Sequence, residues 1–519
     1  MLLSIASSIA PEQEILTFFD KRETYLELSE RVGRLANHLL QDGIQRGDRI
    51  GIISTNSPEV IEVFFAAFQI GATIVPINYR AKTEELEYMI QDSETKILFV
   101  EDRYVSTIQQ VHKESNGQMV KIISIGDENQ PFQEYENYLT SQEPMSDFVD
   151  VEDDDIAILL YTSGTTSLPK GVMLTYSQIT NYVMGHTEAA NGLPNGASLS
   201  CVPYYHVAGA TSILNCIYSG RRVVIIPQFE ADRWLDILQK EKVTHAFLVP
   251  TMLKRIIDHP HFSKTDFTHL QSLSYGAAPM PFPVIREAIE KFPLTVDFAN
   301  GFGMTETTST VTVLGPDDHK LIGTSDEISK KIQRLNSVGK PLPNVQIKIL
   351  NDENKELSTK EIGNVYIKTE KAMKGYWNRS KESDEMIING WINTKDIGYI
   401  DEDGYLFLEG RSSDMIIRGG ENIAPQEIEN LLIAHPDIAD AAVIGIPNVE
   451  WGEEVLAFII SKNVQSPPSI DEIKAYCKNS LASFKCPKFI EFVEDLPRTS
   501  SGKLLKRDLR EQYITNFID

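Results

Sequence analysis

The chain has 519 residues, of which 42% are hydrophobic and 24% charged, and its formal net charge is −25. The length exceeds that of one ordinary domain, and the composition is typical of a soluble globular protein. The strong negative charge argues against nucleic acid or an anionic membrane as the main partner, although it allows a local basic site for a phosphorylated ligand.

The cysteines and the first residues favour a cytoplasmic protein. The four cysteines form no C-x-x-C pair, which indicates a reducing compartment and no structural zinc. The start of the chain is mildly apolar but lacks a positive segment, so we expect no signal peptide. No stretch has the roughly 18 uninterrupted apolar residues of a membrane helix, so we expect no transmembrane segment.

The first part of the chain alternates between predicted helices and strands. Apolar spacing predicts a helix over 26–42, and Asn56 or Ser57 caps a second helix that has Pro58 near its first position. Three strands are predicted around these helices, at 50–53, 72–77 and 97–100. This alternation indicates parallel sheets covered by helices.

The same pattern continues beyond residue 150. The apolar run 156–160 predicts a buried strand, and Ser177 is expected to cap the next helix. Further strands are predicted at 223–226, 246–249, 273–275 and 294–298. The strand ends of such open α/β sheets are where ligands bind.

The character of the sequence changes near residue 340. Short predicted strands at 345–350, 364–368 and 405–408 indicate a β-rich subdomain over about 337–409. A compact α+β pattern follows, with helices at 425–434 and 470–480 and strands at 441–446 and 455–460. The predicted fold class is α/β, with a large domain (1–409), a hinge (410–414) and a small mobile α+β domain (415–519).

The stretch Tyr161 to Gly171 reads Y-T-S-G-T-T-S-L-P-K-G and predicts a phosphate-binding loop. Small hydroxyl and glycine residues bring N–H and O–H donors close to an anion, and Lys170 adds a positive charge. The common G-x-x-x-x-G-K-[ST] loop is excluded, because Pro169 precedes the lysine and Gly171 follows it. A flexible connection is the alternative.

Other segments offer complementary chemistry. The sequence G-F-G-M-T-E-T at 301–307 combines close backbone approach with a hydroxyl on Thr305 and a hard oxygen ligand on Glu306. The segment W-I-N-T-K-D at 391–396 ends in the carboxylate of Asp396, for which a solvated surface aspartate is the plain alternative. The segment G-A-A-P at 276–279 is a weak signal that a plain tight turn also explains.

In order and spacing, these segments resemble the signatures of the AMP-forming adenylate-forming superfamily. That superfamily includes acyl-CoA synthetases, peptide-synthetase adenylation domains and firefly-type luciferases. The resemblance extends over nearly the whole chain, down to the C-terminal P-R-T-S-S-G-K that ends at Lys503. Four positions depart from the usual residues: Ser167 and Lys395 stand for glycine, Ser413 for the charged hinge residue, and Phe302 for the commoner tyrosine.

The resemblance implies roles for individual residues. Catalytic roles fall to Lys503, Thr165, Glu306 and His206, and Mg²⁺ would be held by Thr165 and Glu306. For His206, a satisfied core histidine is the alternative. The residues expected to bind ATP and AMP come from all of the segments: Thr162, Ser163, Gly164, Thr165, Thr166, Lys170, Gly276, Ala277, Ala278, Asn300, Gly301, Phe302, Gly303, Met304, Thr305, Asp396, Arg411 and Lys503.

The resemblance also implies the moving parts and the substrate pocket. Ser413 would be the hinge residue, and Gly419 and Gly420 would let the pantetheine arm of CoA pass close to the backbone. The residues expected to line the acyl pocket are His206, Val207, Gly209, Tyr275 and Gly301. Apart from His206 none of these can carry a positive charge, which favours an apolar acid.

The function implied by the resemblance is an ATP-dependent acid–thiol ligase. It would convert a carboxylic acid to an acyl-AMP with release of pyrophosphate, and then transfer the acyl group to CoA. A medium- to long-chain fatty acid is the first choice, with an aryl, alicyclic or short hydroxy acid as the alternative. Loading of a separate carrier protein also stays open, and the chain is compatible with a homodimer. A non-catalytic nucleotide-binding regulator is disfavoured, because Lys503 and Glu306 are both present.

Overall fold

The structure of the protein is a computed structural model that describes residues 2–114, 120–126, 131–140, 142–162, 168–499 and 503–517. The side chains of 112–114 and 514–517 are outside this description. Within it the chain has the predicted α/β fold, with two large helix-covered sheets and two smaller ones. Among the described residues, no helix has the length and apolar character needed to cross a bilayer.

The elements up to the predicted phosphate loop alternate as expected. In chain order they are α1 (Leu2–Ile9), β1 (Glu14–Phe18), β2 (Lys21–Thr24), α2 (Tyr25–Gln41), β3 (Arg49–Ile53), α3 (Pro58–Gln69), β4 (Thr73–Pro76), α4 (Thr83–Asp92), β5 (Thr95–Glu101), α5 (Asp102–Glu114), β6 (Lys121–Ile125), β7 (Gln133–Glu134), α6 (Tyr135–Thr140) and β8 (Ile156–Thr162).

The next part completes the two large sheets. It contains β9 (Lys170–Thr175), α7 (Tyr176–His186), β10 (Ala197–Ser200), α8 (Val207–Ser219), β11 (Arg222–Ile225), α9 (Ala231–Lys240), β12 (His245–Leu248), α10 (Pro250–Ile257), β13 (Ser272–Gly276), α11 (Phe282–Lys291), β14 (Asp297–Met304), β15 (Ser309–Leu314), α12 (Pro316–His319), α13 (Ser325–Arg334) and β16 (Lys340–Pro341).

The remaining elements build the two smaller sheets, except the strand Gly375–Tyr376, which joins a large sheet by pairing with β9. They are β17 (Gln346–Leu350), β18 (Gly363–Lys368), β19 (Gly375–Tyr376), α14 (Ser380–Met386), β20 (Ile387–Ile388), β21 (Trp391–Ile400), β22 (Leu406–Arg411), β23 (Ile416–Arg418), β24 (Glu421–Ile423), α15 (Pro425–Ile433), β25 (Ile438–Asn448), β26 (Gly452–Ser461), α16 (Ile470–Ser480), β27 (Phe489–Phe492) and α17 (Lys506–Phe517).

The described strands form four sheets. One large sheet has the order β16-β15-β14-β13-β12-β10-β11-β1-β2, and the other has β19-β9-β8-β4-β3-β5-β6-β7. Strands inside these sheets pair in parallel, whereas edge pairs such as β14 with β15 and β8 with β9 are antiparallel. The predicted site segments at 276–279 and 301–307 begin within the last residues of β13 and β14, and the predicted phosphate loop follows β8 in the chain. Ligands of open α/β sheets bind at such strand ends.

Separate hydrophobic cores support the sheets. Helix α3 is buried nearly all round, as its apolar sequence predicts. It packs in a core that contains residues of both large sheets and of helices α2 and α8. The β-rich subdomain has its own small core around Val365 and Leu406. The C-terminal sheet encloses another core, with Ile428, Val443 and Ala457 among its members.

Two of the differences from the predicted boundaries concern segments next to the candidate site. Thr175, and not Ser177, is the N-cap of α7, because its hydroxyl accepts from the Gln178 backbone N–H and the helix begins at Tyr176. The predicted strand 294–298 corresponds to β14, which begins at Asp297 and continues to Met304. Its pairing with β15 extends the strand through the two glycines that the sequence places in a turn.

Candidate active site

The hairpin of β8 and β9 flanks the predicted phosphate loop. Thr162 pairs with Lys170 across it, and the Thr162 hydroxyl donates to the Lys170 carbonyl over 3.4 Å. The Lys170 ammonium lies 5.3 Å from the centre of the Tyr376 ring. Ser163, Gly164, Thr165 and Thr166 lie outside the described residues, so their contacts with phosphate and magnesium stay predictions.

Glu306 is a buried carboxylate with room for a ligand. It is 8% exposed, and no basic side chain among the described residues forms an ion pair with it. Its Oε1 accepts a hydrogen bond of 2.7 Å from the Tyr376 hydroxyl. Burial and the adjacent Glu306 charge raise the pKa of Tyr376, so the phenol keeps its proton and donates. The other oxygen of Glu306 accepts no hydrogen bond from a described residue. A carboxylate oxygen is a hard ligand, and this one is therefore suited to bind Mg²⁺.

The ends of β13 and β14 lie side by side. Gly276 pairs with Gly301, and a Cβ on Gly276 would lie 2.2 Å from the Gly301 carbonyl oxygen. Ala277 follows with a left-handed backbone (φ +65°) and is exposed, whereas Ala278 is half-buried and Asn300 is buried. The G-A-A-P segment and the start of the G-F-G-M segment therefore share one edge of the sheet.

The rest of the G-F-G-M-T-E segment runs along the same edge. The backbone approaches β15 so closely that a Cβ on Gly303 would lie 1.8 Å from the Ser309 carbonyl oxygen. Phe302 is half-buried against the core of the β-rich subdomain, and Met304 against the core of the first large sheet. Thr305 is half-buried and begins the 3₁₀ turn that carries Glu306.

Asp396 and Arg411 form a pair across β21 and β22. Arg411 Nε lies 2.9 Å from Asp396 Oδ1, and Arg411 also donates to the Thr394 carbonyl over 2.7 Å. Asp396 Oδ2 is buried and has no hydrogen-bond partner among the described residues, which is costly for a carboxylate unless a ligand supplies the donor. Burial raises the pKa of Asp396, and the Arg411 charge opposes that shift. A sugar hydroxyl would satisfy this oxygen.

Lys503 approaches this pair from the C-terminal part of the chain. It is held in a short hairpin by a mutual pair of hydrogen bonds with Thr499, of 2.8 and 3.1 Å. Burial and the Arg411 guanidinium lower the pKa of Lys503, whereas carboxylates within electrostatic range raise it. Those carboxylates belong to Asp396, Asp414 and Glu306. The Lys503 residue is exposed to solvent, so its ammonium can be reached by a ligand.

The predicted hinge and CoA turn lie on the other side of this junction. Ser413 is exposed in the turn between β22 and β23, where the Asp414 and Met415 N–H groups both donate to the Arg411 carbonyl. Gly419 and Gly420 are exposed in the turn from β23 to β24. The Gly419 N–H donates to the carbonyl of Trp451, an exposed aromatic residue that sequence reasoning missed.

His206 is the residue before α8 and is half-buried. Burial and the positive charge of Arg80 lower its pKa to about 4, so the imidazole is neutral near pH 7. Its ring also lies 4.5 Å from the Tyr205 ring, centre to centre. A neutral imidazole can donate to or accept from a substrate carboxyl group, but it supplies no charge.

The predicted acyl pocket requires two corrections. The Tyr275 ring is fully buried in the core of the large sheet that contains β13. Its hydroxyl bonds to His319 Nε2 over 2.9 Å, so the ring does not line a pocket. Gly209 is buried against the backbone, because a Cβ there would lie 2.2 Å from the Pro203 carbonyl oxygen. Val207 and Gly301 are half-buried and accessible.

The structure brings the predicted charged residues close to one another. Lys503, Asp396, Arg411 and Glu306 interact electrostatically, and Lys170 joins them through Tyr376. Tyr376 was missed, although it follows Gly375 in a strand that pairs with β9 and is close to the predicted loop in space. Gly419 and Gly420 follow the predicted hinge in the chain, and their contact with CoA stays a prediction.

Known proteins resemble the chain over its whole length. A family model described as AMP-binding enzyme matches residues 6–377, and one described as AMP-binding enzyme C-terminal domain matches 427–503. A fatty acid–[acyl-carrier-protein] ligase of Streptomyces coeruleorubidus is 32% identical over 94% of this chain and 91% of the relative. A feruloyl-CoA synthase of an Amycolatopsis species is 32% identical over 94% of each chain. Among solved structures, an anthranilate CoA ligase in complex with anthranoyl-AMP has a TM-score of 0.88 at 27% identity, covering 99% of this chain and 97% of that one.

Proposed function

The chain belongs to the AMP-binding enzyme family, and we propose that it is an acid–thiol ligase that activates a carboxylic acid with ATP and transfers the acyl group to CoA. The observation that carries the proposal is the arrangement at Asp396. There a buried carboxylate oxygen lacks a donor from the part of the chain that the structure describes, and Lys503 approaches the same residue from the C-terminal part of the chain.

In the first half-reaction, the carboxylate of the acid attacks the α-phosphorus of ATP, a P–O bond forms, and pyrophosphate leaves. Negative charge develops on the phosphoryl oxygens, so catalysis depends on positioning and electrostatics. Lys503 stabilises this charge, Asp396 and Arg411 hold the ribose, and Thr162 to Thr166 with Lys170 hold the outer phosphates. Mg²⁺ held by Glu306 and Thr165 would offset the charge of the leaving pyrophosphate.

In the second half-reaction, the CoA thiol attacks the acyl carbonyl carbon, the C–O bond to AMP breaks, and the thioester forms. The proposal divides the chain into a domain of residues 1–409, a hinge at 410–414 and a lid domain of 415–519. Rotation about Ser413 withdraws Lys503 and presents Gly419 and Gly420 to the pantetheine arm. Separate hydrophobic cores on the two sides of the hinge support such a rotation.

The acyl group is the finer part of the proposal. A medium- to long-chain fatty acid agrees with the apolar walls around Val207 and with the fatty-acid ligase among the relatives. An aryl acid agrees with the feruloyl-CoA synthase and the anthranilate CoA ligase. The carrier-protein specificity named for the Streptomyces relative keeps a carrier thiol as the second candidate acceptor.

A panel of carboxylic acids with ATP tests the proposal, with CoA and a pantetheinylated carrier protein offered as alternative acceptors. We expect acid-dependent AMP release and a CoA thioester. AMP release with thioester on the carrier alone would replace CoA by the carrier, and no acid-dependent AMP release with any acid would contradict the proposal.

The proposal also includes the cellular location and the oligomeric state of the protein. A cytoplasmic protein agrees with four free cysteines in the structure, of which Cys201, Cys216 and Cys477 are buried. A homodimer is a further prediction, which light scattering of the purified protein tests.

A further inference from the structure

One side of helix α8, which begins directly after His206, carries residues that are only half-buried. Most residues of the helix are buried, but Ala208, Ser212 and Asn215 are half-buried and recur at helical spacing. These residues form a row that starts beside His206 and extends for about 10 Å at 1.5 Å per residue. The row is long enough to lie alongside an acyl group of moderate length.

A buried lysine lies near the far end of this row. Lys371 is 6% exposed, and no carboxylate of the described residues lies within ion-pair distance of its ammonium. Its Nζ lies 3.3 Å from His186 Nε2 and 5.5 Å from the centre of the Tyr182 ring. Burying a cation without an anion costs free energy, and such groups are enriched at binding sites.

The neighbouring histidine cannot supply the missing negative charge. His186 Nδ1 lies 2.7 Å from the Tyr182 carbonyl oxygen, so Nδ1 carries the proton and Nε2 accepts from Lys371. Burial lowers the pKa of Lys371 to about 8, which leaves most of the ammonium charged near pH 7. An ammonium has three N–H donors, and the hydrogen bond to His186 uses one.

Hydrogen bonds near Lys371 reach both the row on α8 and the turn that follows β14. The residue after His186, Thr187, donates to Asn215 Oδ1 on the half-buried row over 3.3 Å. On the opposite side, the Thr308 hydroxyl donates to the Lys371 carbonyl over 2.6 Å, two residues beyond Glu306. The lysine therefore lies between the end of α7 and the turn that follows β14.

From this geometry we propose that the acid activated by the chain is a dicarboxylic acid, whose second carboxylate binds Lys371 at the end of the pocket remote from His206. The inference rests on the proposed ligase function and names the substrate class of the same site. It revises the expectation of an acyl group without charge, because Lys371 is far from the pocket segments in sequence.

The physical reason is an asymmetry between the two kinds of acid. A second carboxylate gives the buried ammonium an ion pair and a charge-assisted hydrogen bond. An alkyl chain end would instead cover the remaining N–H groups of the Lys371 ammonium and would offer them no hydrogen-bond acceptor. The lysine thus selects for a dicarboxylic acid and against an apolar acid of the same length.

The test compares octanoate with suberate, which has the same carbon skeleton and a carboxylate at each end. Acid-dependent exchange of labelled pyrophosphate into ATP gives kcat/KM for each acid with the parent enzyme and with Lys371→Met. We expect the parent to prefer suberate, and Lys371→Met to lose about 10- to 100-fold on suberate while keeping or improving its rate with octanoate. Lys368→Met, which removes an exposed lysine from the same region, is the matched control and should leave the preference unchanged.

A purely structural role for Lys371 predicts another pattern. Lys371→Met would then affect both acids equally and lower the thermal midpoint, and that result would overturn the inference. A parent enzyme that prefers octanoate would do the same.

Calorimetry separates this inference from the proposed ligase function. Suberate is titrated into the full-length protein with an ATP analogue whose α–β bridge is a methylene group. Binding that is lost in Lys371→Met supports the dicarboxylate site even if no exchange activity is found. Absence of suberate binding to the parent argues against the site whatever the enzyme does with other acids.

Discussion

Lys395 has a left-handed backbone, with φ of +62°, directly before the carboxylate of Asp396. Its N–H donates to Asn393 Oδ1 over 3.1 Å, and its carbonyl accepts from Ser412 over 2.9 Å. These bonds fix the conformation, although a residue with a Cβ is strained there by about 1 kcal/mol. The strain is stored beside the predicted ribose site and the hinge turn.

We predict that Lys395→Gly is about 1 kcal/mol more stable to unfolding than Lys395→Ala, because glycine adopts positive φ without strain. Both variants remove the same charged side chain, so the comparison isolates the backbone term. Urea unfolding followed by tryptophan fluorescence measures the difference. Equal stability of the two variants would show that this turn stores no such strain.

His319 is a buried neutral histidine beside β13 of one large sheet. Its Nδ1 lies 2.8 Å from the Gly315 carbonyl oxygen and carries the proton, while Nε2 accepts from the Tyr275 hydroxyl. Burial lowers its pKa from 6.5 to about 4. Since the unfolded chain binds a proton in that range and the folded chain does not, this histidine makes the protein less stable as pH falls from 6.5 towards 4.

We predict that His319→Gln has a shallower loss of stability on acidification than the parent. The difference is at most about 1.4 kcal/mol per pH unit, the contribution of one proton. Thermal midpoints between about pH 7 and pH 5 measure it, with the exposed His269→Gln as the control that keeps the parental slope. A parental slope in His319→Gln would contradict the assignment.

At the scale of elements, the edge formed by β13 and β14 depends on glycine at one of two paired positions. The Cβ built on Gly276 lies 2.2 Å from a backbone oxygen, whereas the Cβ on Gly301 lies 3.4 Å from the Thr310 side chain. A backbone carbonyl oxygen cannot move aside as the end of a flexible side chain can. The two strands should therefore tolerate alanine at Gly301 and reject it at Gly276.

Gly276→Ala is accordingly predicted to lower the free energy of unfolding by about 1–3 kcal/mol, as overpacked substitutions do. Gly301→Ala, at the paired position on the neighbouring strand, is the control and should unfold nearly as the parent does. Chemical denaturation of both variants checks the difference, and equal effects would argue against this packing.

The sequence predicts elements well where a local pattern decides them. Helix α3 is marked by Pro58 and an apolar run, and the strand at 156–160 by its buried residues. The continuation of β14 through Gly301 and Gly303 was missed, because glycines signal a turn locally and only the pairing with β15 makes them a strand. The half-buried row on α8 was likewise hidden, since nothing in the sequence says which face of a buried helix is less tightly covered.

For the candidate site, segments with a recognisable spacing were predictable and single supporting side chains were not. Asp396, Arg411 and Lys503 were predicted and meet in space. Tyr376 and Lys371 became visible only in the fold, because the residues they face are distant in the chain. Their roles depend on tertiary contacts that no local pattern encodes.

At the scale of the whole molecule, the two parts of the chain are arranged for one half of the proposed reaction. Lys503 lies within electrostatic range of Asp396 and Glu306, and Arg510 lies 3.3 Å from Asp414 in an ion pair beside the hinge turn. This arrangement suits acyl-AMP formation. The thioester step would require the C-terminal part to turn, since Gly419 and Gly420 are then the groups that must reach the site.

The most direct test of this account separates the two half-reactions in Lys503→Ala. We predict that acid-dependent exchange of labelled pyrophosphate into ATP falls by about 10²–10³-fold, because a charge that meets the transition state is lost. Thioester formation from synthetic acyl-AMP and CoA should proceed as in the parent, and the exposed Lys462→Ala should retain both activities. Equal loss of exchange and of thioester formation in Lys503→Ala would contradict the account.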